Sequence, residues 1–306
     1  MQLDLKRSTR VLAVFIGTSV INSIANAQTT DFVDVSLAAQ HDDNISRAFL
    51  SSDRHSDASA LASLSAGRLL QLPNLDTLTF FAELSSAHFQ TLKGLNSNTV
   101  TLGTRYQRKF GLGAFAPILS STFHWSLEES RTKVRSRHLQ TLDINFQKRL
   151  SNAWEFSAGL SLEQSEGKYD GVNYASSYNP NNDILDFTQA SAFAGFDYTF
   201  ANYSTLSASY SYIDGNTLSS ALAPNPALLA IAQALTIDAA IPAPTGRNIV
   251  AYTLETKAHI WSVDWSYPIG RDTSVTATYS WQDIAARAGI DYSNNRISLT
   301  LMHILK

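Results

Sequence analysis

The chain of 306 residues contains 44% hydrophobic and 16% charged residues, and it has a formal net charge of −3 and no cysteine. The lack of cysteine excludes a disulfide scaffold. No apolar run reaches the roughly eighteen residues that would predict a membrane-spanning helix, and no basic patch favours nucleic-acid binding.

Residues 1–27 have the pattern of a secretory signal peptide. Basic side chains within the first ten residues precede an apolar stretch from Val11 to Ile21, and Ala25-Asn26-Ala27 fits a small-residue cleavage site. The alternative, a membrane anchor, is disfavoured because the apolar stretch is too short to span a bilayer. Cleavage would leave residues 28–306 as a single domain, with 20 basic against 25 acidic residues and a net charge of −5.

The mature chain begins with an alternating segment and a polar loop. Val33, Val35 and Leu37 alternate with Asp34 and Ser36, which predicts a strand with one apolar face. The following residues, 41–56, are rich in Asp, Asn and Ser. They lack the regular oxygen-ligand spacing of a calcium loop, so a solvated surface loop is the favoured interpretation.

Alternating segments continue through the middle of the chain, and turn-forming residues separate them. The connections come in two kinds. Turns are predicted at Leu72–Asp76, Gly111–Gly113 and Ser151–Asn152, and loops at Lys93–Asn96, Glu129–Arg137 and Glu166–Asn182, the last two being the longest of the six. Short and long connections therefore follow one another along the chain.

Two segments, Phe196–Tyr212 and Trp261–Trp281, show the strand pattern most clearly. In each, two alternating runs flank a short turn, which predicts a β-hairpin. Aromatic residues collect near the turn, and Ser and Thr fill the opposite face. Tyr, Trp and Phe gather where a membrane meets water, so this aromatic collar favours a transmembrane barrel with a polar lumen over a soluble sandwich.

The longest predicted connection, residues 214–248, is unusually apolar for an exposed loop. Asn225 followed by Pro226 favours the start of a short helix. Four large aliphatic side chains in this segment need a surface to pack against: Leu228, Leu229, Ile231 and Leu235. Three alternatives stay open, namely a plug in the barrel mouth, contact with lipopolysaccharide, and docking of a partner protein at the extracellular loops.

The segment after this connection changes the phase of its alternation. Val250, Tyr252 and Leu254 share a parity that differs from that of Trp261 and Val263. A β-bulge near Ala258–Trp261 would explain the change, as would a strand that extends beyond the bilayer.

About twelve strands, with both termini at the short-turn end, predict an all-β fold. This fold is a transmembrane antiparallel up-and-down β-barrel with short periplasmic turns and long extracellular loops. In its aromatic hairpins and its closing segment Asp291–Leu301, the mature chain resembles bacterial outer-membrane β-barrel proteins of porin-like type, although no single characterised family. Such barrels usually end on an aromatic residue, whereas this chain ends His303-Ile304-Leu305-Lys306.

The signal peptide and the amphipathic strands predict secretion across the inner membrane and a place in the outer membrane of a Gram-negative bacterium. The resemblance implies contact with outer-membrane lipid and lipopolysaccharide, and with the barrel assembly machinery during biogenesis. No cofactor, metal or nucleic acid is expected.

The predicted lumenal face carries charges of both signs. Seven pore-lining candidates follow from the alternation: Glu83, Arg105, Lys109, Asp143, Glu163, Asp197 and Asp264. Opposed charges shape the field in a pore, but they also pair to fill a narrow interior. Both alternatives stay open, because about twelve strands lies between side-chain-filled eight-stranded barrels and open sixteen-stranded porins.

The favoured function is a passive, porin-like channel for small hydrophilic solutes. One alternative is a non-conducting barrel whose extracellular loops bind a partner protein or a surface polysaccharide. A third is a lipid-modifying hydrolase, since His124-Trp125-Ser126 with Glu128 resembles the His-x-Ser arrangement of lipid A deacylases. Alternation directs His124 and Ser126 into the lumen, away from a membrane substrate, so no catalytic residue is predicted.

Overall fold

The computed structural model describes residues 29–72, 76–168, 184–223, 232–286 and 289–305. The predicted signal peptide, residues 1–27, lies outside these ranges. Within them the chain forms thirteen strands: β1 (Thr29–Asp42), β2 (Asp57–Gln71), β3 (Thr77–Phe89), β4 (Ser97–Lys109), β5 (Ile118–Ser130), β6 (Arg137–Arg149), β7 (Trp154–Gly167), β8 (Phe187–Thr199), β9 (Thr205–Leu222), β10 (Ala234–Ile237), β11 (Ile249–Pro268), β12 (Thr273–Ala286) and β13 (Asp291–Ile304). Single turns of 3₁₀ helix occupy Ser51–Asp53, Lys93–Leu95 and Lys133–Arg135.

Twelve of these strands close into an antiparallel ring. Each strand pairs with its neighbours in the chain, and β9 pairs directly with β11. The ring closes where β1 pairs with β13, from Asp34 opposite Ile304 to Asp42 opposite Arg296. The short strand β10 pairs with the outer part of β11 and does not take part in closure. The predicted fold, an up-and-down barrel of about twelve strands, is confirmed.

The strands form because their side chains alternate between two different environments. The outward side chains are large, apolar and exposed; Leu162 is 58% and Trp265 is 51% exposed. Such a belt of exposed apolar residues suits a surface that lipid covers. No helix in the described ranges is long and apolar enough to cross a membrane.

The two ends of the barrel differ in the length of their connections. One end, the turn end, carries connections of four to eight residues: 72–76, 110–117, 150–153, 200–204 and 269–272. The other end, the loop end, carries the connections 43–56, 90–96, 131–136, 168–186, 223–248 and 287–290, of which three run to fourteen residues or more. The start of β1 and the end of β13 lie at the turn end, where Thr29 pairs with Leu70 and the Ile304 amide donates to the Asp272 carbonyl at 2.8 Å. Aromatic rings gather at this end, with Trp154 and Tyr198 centroids 4.9 Å apart.

Strand β11 extends past the end of β12 at the loop end. Its pairing with β9 runs unbroken from Ser266 to Ile249, whereas its pairing with β12 stops at Thr256. The phase change therefore involves no bulge in the pairing with β9, and it falls where β11 extends past β12. The predicted loop 214–248 also begins later than expected, because β9 continues to Leu222.

The β1–β2 loop differs from its prediction as a solvated surface loop. Asn44, Ser46, Ala48 and Asp53 are all buried. The Asn44 side chain donates to the Ala48 carbonyl at 3.1 Å and accepts from the Ala48 amide at 3.0 Å. The loop is therefore a packed element of the loop end, because its polar side chains are satisfied by backbone groups instead of by solvent.

Candidate functional site: the barrel lumen and its mouth

The seven predicted pore-lining residues all lie at inward positions of their strands. On each strand they share the parity of a residue that lines the interior, such as Ser97 on β4 or Gln189 on β8, and they alternate with exposed apolar residues. Glu83 lies on β3, Arg105 and Lys109 on β4, Asp143 on β6, Glu163 on β7, Asp197 on β8 and Asp264 on β11.

These seven residues are spread along the barrel and do not form one site. Arg105 Nη2 donates to Ser120 Oγ at 3.4 Å, and Asp264 accepts from Thr278 Oγ1 at 2.5 Å. Asp143 lies 3.8 Å from His124 Nδ1. Only Glu163 lines the cavity described next, so most of the predicted set lies closer to the turn end.

The upper lumen holds a cavity of about 600 Å³ at the loop end. Its wall combines inward residues from the upper ends of most strands with residues from the loops. The cations that line it are Arg47, Arg135, Arg137 and Arg296, and the anions are Asp42, Glu128 and Glu163. The cavity is therefore polar and nearly balanced in charge.

Three of the four cations have carboxylate partners. Arg137 Nε lies 2.8 Å from Glu128 Oε2, and Arg296 Nε lies 3.6 Å from Asp42 Oδ2. Arg135 pairs with an acidic residue outside the cavity wall. These ion pairs hold the three arginine side chains in place and offset their positive charges.

A hairpin built from the extended strands lies over the mouth of the barrel. We call residues 216–223 and 232–255 the mouth hairpin; it comprises the outer parts of β9 and β11, together with β10 and the segment that joins β10 to β11. Its two long strands pair from Thr217 opposite Leu254 to Leu222 opposite Ile249. This pairing continues beyond Ala286, the last residue of β12 to pair with β11.

Two loops contact the mouth hairpin through hydrogen bonds and apolar packing. The Ser220 amide donates to the Ser46 carbonyl of the β1–β2 loop at 2.8 Å, and the Leu222 amide donates to the Asp53 carboxylate at 3.1 Å. Ile241 and Ile249 pack against Leu92, Leu95 and Phe89 near the β3–β4 loop.

Two further loops, β7–β8 and β5–β6, contact the mouth hairpin from the part of the ring that adjoins β9. Ile184 and Leu185, next to β8, pack with Ala234 and Ala251 of the mouth hairpin, and Thr253 Oγ1 donates to the Ile184 carbonyl at 2.6 Å. The β5–β6 loop contributes Arg135. Because the β3–β4 loop, which packs against Ile241 and Ile249, lies across the ring from β9 and β11, the mouth hairpin must reach over the opening.

An ion pair between Arg135 and Asp238 is the strongest of these contacts. Arg135 donates from Nη2 at 2.6 Å and from Nε at 3.2 Å to the two carboxylate oxygens of Asp238. Ser220 Oγ and the Ala240 amide donate to the same carboxylate. Burial alone would raise the pKa of Asp238, but the charge of Arg135 and these hydrogen bonds hold the pKa below its ordinary value.

Of the four aliphatic residues predicted to plug or dock, Leu235 lies within the described ranges. It is buried on β10 and packs in a cluster with Val250, Tyr252 and Leu254. Leu235 is therefore part of a strand instead of the predicted short helix. Leu228, Leu229 and Ile231, together with the predicted helix start at Asn225, lie outside the described residues.

The His124 and Ser126 pair considered for a hydrolase has separate partners. Ser126 Oγ and Thr101 Oγ1 share a hydrogen bond of 2.8 Å, and His124 lies beside Asp143. Both side chains take inward positions on β5. Among the described residues, the Ser126 hydroxyl is thus bonded to a threonine hydroxyl, whereas a serine nucleophile needs a hydrogen bond to a base.

Several cavity residues escaped the sequence-based prediction. Arg296 shares its parity with Ser298, which alternates with the outward residues Ile297 and Leu299, so parity would have found it. Arg137 is flanked by His138, Leu139 and Gln140, where apolar and polar residues do not alternate, so parity would have missed it. Arg47 and Arg135 lie in loops, where no alternation exists, and nothing in the sequence directs them inward.

Comparison with known proteins supports the fold. No protein-family description and no curated protein matches the sequence. Among solved structures, the COG4313 outer membrane channel from Pseudomonas putida F1 is similar with a TM-score of 0.59 at 11% identity, over 90% of this chain and 96% of that chain. The outer membrane channel DcaP of Acinetobacter baumannii has a TM-score of 0.43 at 10% identity, over 92% and 98%. The KdgM porin, solved in complex with disordered oligogalacturonate, has 0.41 at 10% identity, over 88% and 98%. The similarity to the COG4313 channel shows that the chain shares the β-barrel fold of that structure.

Proposed function

We propose that the chain is a passive channel for small hydrophilic solutes in the outer membrane of a Gram-negative bacterium, exported by a cleaved signal peptide. The observation that carries the proposal is the polar cavity of about 600 Å³ inside a closed ring of strands. Lipid suits the apolar outer belt, and a hydrated solute suits the charged and hydroxylated wall. The loop end would then face the outside of the cell.

The mouth hairpin acts in this proposal as a constriction. Its contacts with four loops narrow the opening above the cavity, and its apolar side chains pack among these loops instead of facing solvent. The same covering supports a second candidate function, a non-conducting barrel whose loops bind a partner protein or a surface polysaccharide.

Single-channel recording separates the two functions. Residues 28–306 are refolded and inserted into a planar bilayer, and the conductance is compared with that of a variant that lacks residues 223–244. A channel with a constriction gives steady open events whose size increases after the deletion. A folded barrel without conductance in both forms would sink the channel and favour the loop-binding function.

A further inference from the structure

Among the described residues, one cation of the cavity, Arg47, has no carboxylate partner. The other three arginines of the cavity wall pair with carboxylates at 2.6 to 3.6 Å. Arg47 makes no side-chain hydrogen bond or ion pair with any residue in the described part of the chain. Its guanidinium therefore supplies a positive charge to the lumen that no neighbour neutralises.

The β1–β2 loop holds Arg47 in an unfavourable backbone conformation. Arg47 has a φ of 51°, in the left-handed region that non-glycine residues seldom adopt. The residues on either side, Ser46 and Ala48, are buried and bonded: Ser46 Oγ donates to the Asp53 carbonyl at 2.9 Å, and Ala48 bonds to Asn44 through both its backbone groups. The surrounding loop thus maintains the conformation that places Arg47 against the cavity.

Strand β13 presents two unsatisfied donors to the same cavity. The Tyr292 hydroxyl and Arg296 Nε are buried atoms that complete no hydrogen bond among the described residues, and both side chains line the cavity with Arg47. The hydroxyls of Ser219 and Thr217 lie near Tyr292, and Asp42 Oδ2 lies 3.6 Å from Arg296 Nε. Tyr292 is only 3% exposed. The loop of Arg47 is tied to this strand, since Asn44 Nδ2 donates to the Ser293 carbonyl at 3.2 Å. Buried donors without partners are uncommon in folded proteins, so this wall is suited to an acceptor.

The nearby carboxylates, Asp42 and Glu163, do not act as the acceptor for Arg47. The Asp42 carboxylate accepts from the Asn44 amide at 2.9 Å and from Asn294 Nδ2 at 3.2 Å, and it lies next to Arg296. Glu163 belongs to β7, about half-way round the ring of strands from the β1–β2 loop. Neither carboxylate forms an ion pair with Arg47 in the described part of the chain.

We propose that Arg47, Tyr292 and Arg296 form a subsite for the oxyanion group, a carboxylate or a phosphate, of a small solute inside the lumen. The proposal rests on the proposed channel function, whose solute class it narrows. Guanidinium groups match the geometry of two oxygen acceptors, and the tyrosine hydroxyl adds a third donor. Asp42 holds Arg296 in place through its charge.

The test measures binding separately from conduction. Titration calorimetry on the folded barrel in detergent uses succinate and inorganic phosphate as probes, with uncharged succinamide as the control ligand. Arg47→Asn removes the charge with a residue that tolerates the left-handed conformation, and Arg47→Lys retains the charge. Arg54→Gln makes the same change in net charge at an exposed position of the same loop. Far-UV circular dichroism checks the fold of every variant.

We expect one or both anions to bind the wild type, and succinamide not to bind. Arg47→Asn should weaken binding about tenfold or more, as the loss of a charge-assisted hydrogen bond predicts, with Arg47→Lys intermediate and Arg54→Gln unchanged. No anion binding, or equal binding by folded Arg47→Asn, would overturn the subsite. Conductance without anion binding would support the channel function and refute the subsite. Arg47-dependent binding without conductance would refute the channel function and support the subsite.

Discussion

Replacement of Arg135 by glutamine is expected to loosen the mouth hairpin. The Asp238 side chain is 0% exposed, so without Arg135 its carboxylate stays buried with only Ser220 and the Ala240 amide as donors. Loss of one member of a buried ion pair costs about 3–5 kcal/mol, which shifts an equilibrium by roughly two to almost four orders of magnitude. Because the apolar clusters still hold the hairpin, we expect transient release instead of permanent opening.

Single-channel recording would detect this release as brief openings to a larger conductance. Arg131→Gln is the matched control, because Arg131 is exposed on the same β5–β6 loop. The double variant Arg135→Gln, Asp238→Asn removes the uncompensated charge and should therefore lack the brief openings, with the conductance of the wild type. If the conductance of folded Arg135→Gln equals that of the wild type and of the control, the hairpin does not limit passage and the reasoning is refuted.

Three further outcomes are expected. Because the pKa of Asp238 is lowered in the folded chain, its stabilising effect is complete above the ordinary carboxyl pKa of about 3.9 and is lost as the pH falls through the lower folded value. Conductance should therefore be constant from neutral pH to about pH 4 and rise only below it, and a rise already near pH 6 would contradict the assignment. A Cβ on Gly94 would lie 2.4 Å from a Cα atom of the mouth hairpin, so Gly94→Val should raise conductance, whereas Gly113→Val in a turn at the other end should leave it unchanged. Leu160→Arg on the lipid-facing side of β7 should destabilise the barrel by about 2–4 kcal/mol, whereas Ser161→Arg on the inner face should cost little; denaturant unfolding in lipid vesicles measures both, and equal losses would contradict the assigned faces.

The sequence predicted the barrel because the bilayer enforces a simple rule. A strand that crosses lipid must place an apolar residue at every second position, so Trp265 and Leu162 could be assigned outward and Asp264 and Glu163 inward from alternation alone. The same rule indicated the strand number, and the succession of short and long connections indicated the end at which the termini lie. Inward parity, however, does not tell which side chains meet, and six of the seven predicted pore residues lie outside the cavity.

The loop end was poorly predicted because its contacts join residues far apart in the chain. Asp53 is polar and follows a polar segment, so it was assigned to a solvated loop. In the folded chain its carboxylate accepts the amide of Leu222, 169 positions away. Tyr252 likewise belongs to β11, which continues beyond β12. There the side chain is buried by packing within the mouth hairpin and is not placed by contact with lipid. A local sequence pattern predicts neither the bond between Asp53 and Leu222 nor the packing around Tyr252.

Closure of the ring between the first and last strands also determines when the lumen acquires its upper wall. Asp43 accepts from the amide and the side chain of Asn295 at 2.7 Å, so these anchors of the β1–β2 loop form only when β13 pairs with β1. These strands are the most distant in the sequence, and contacts of such long range form late and slowly during folding. A barrel whose ring is still open therefore lacks the support that orients Arg47. The lumen should acquire its charge pattern in the last step of assembly.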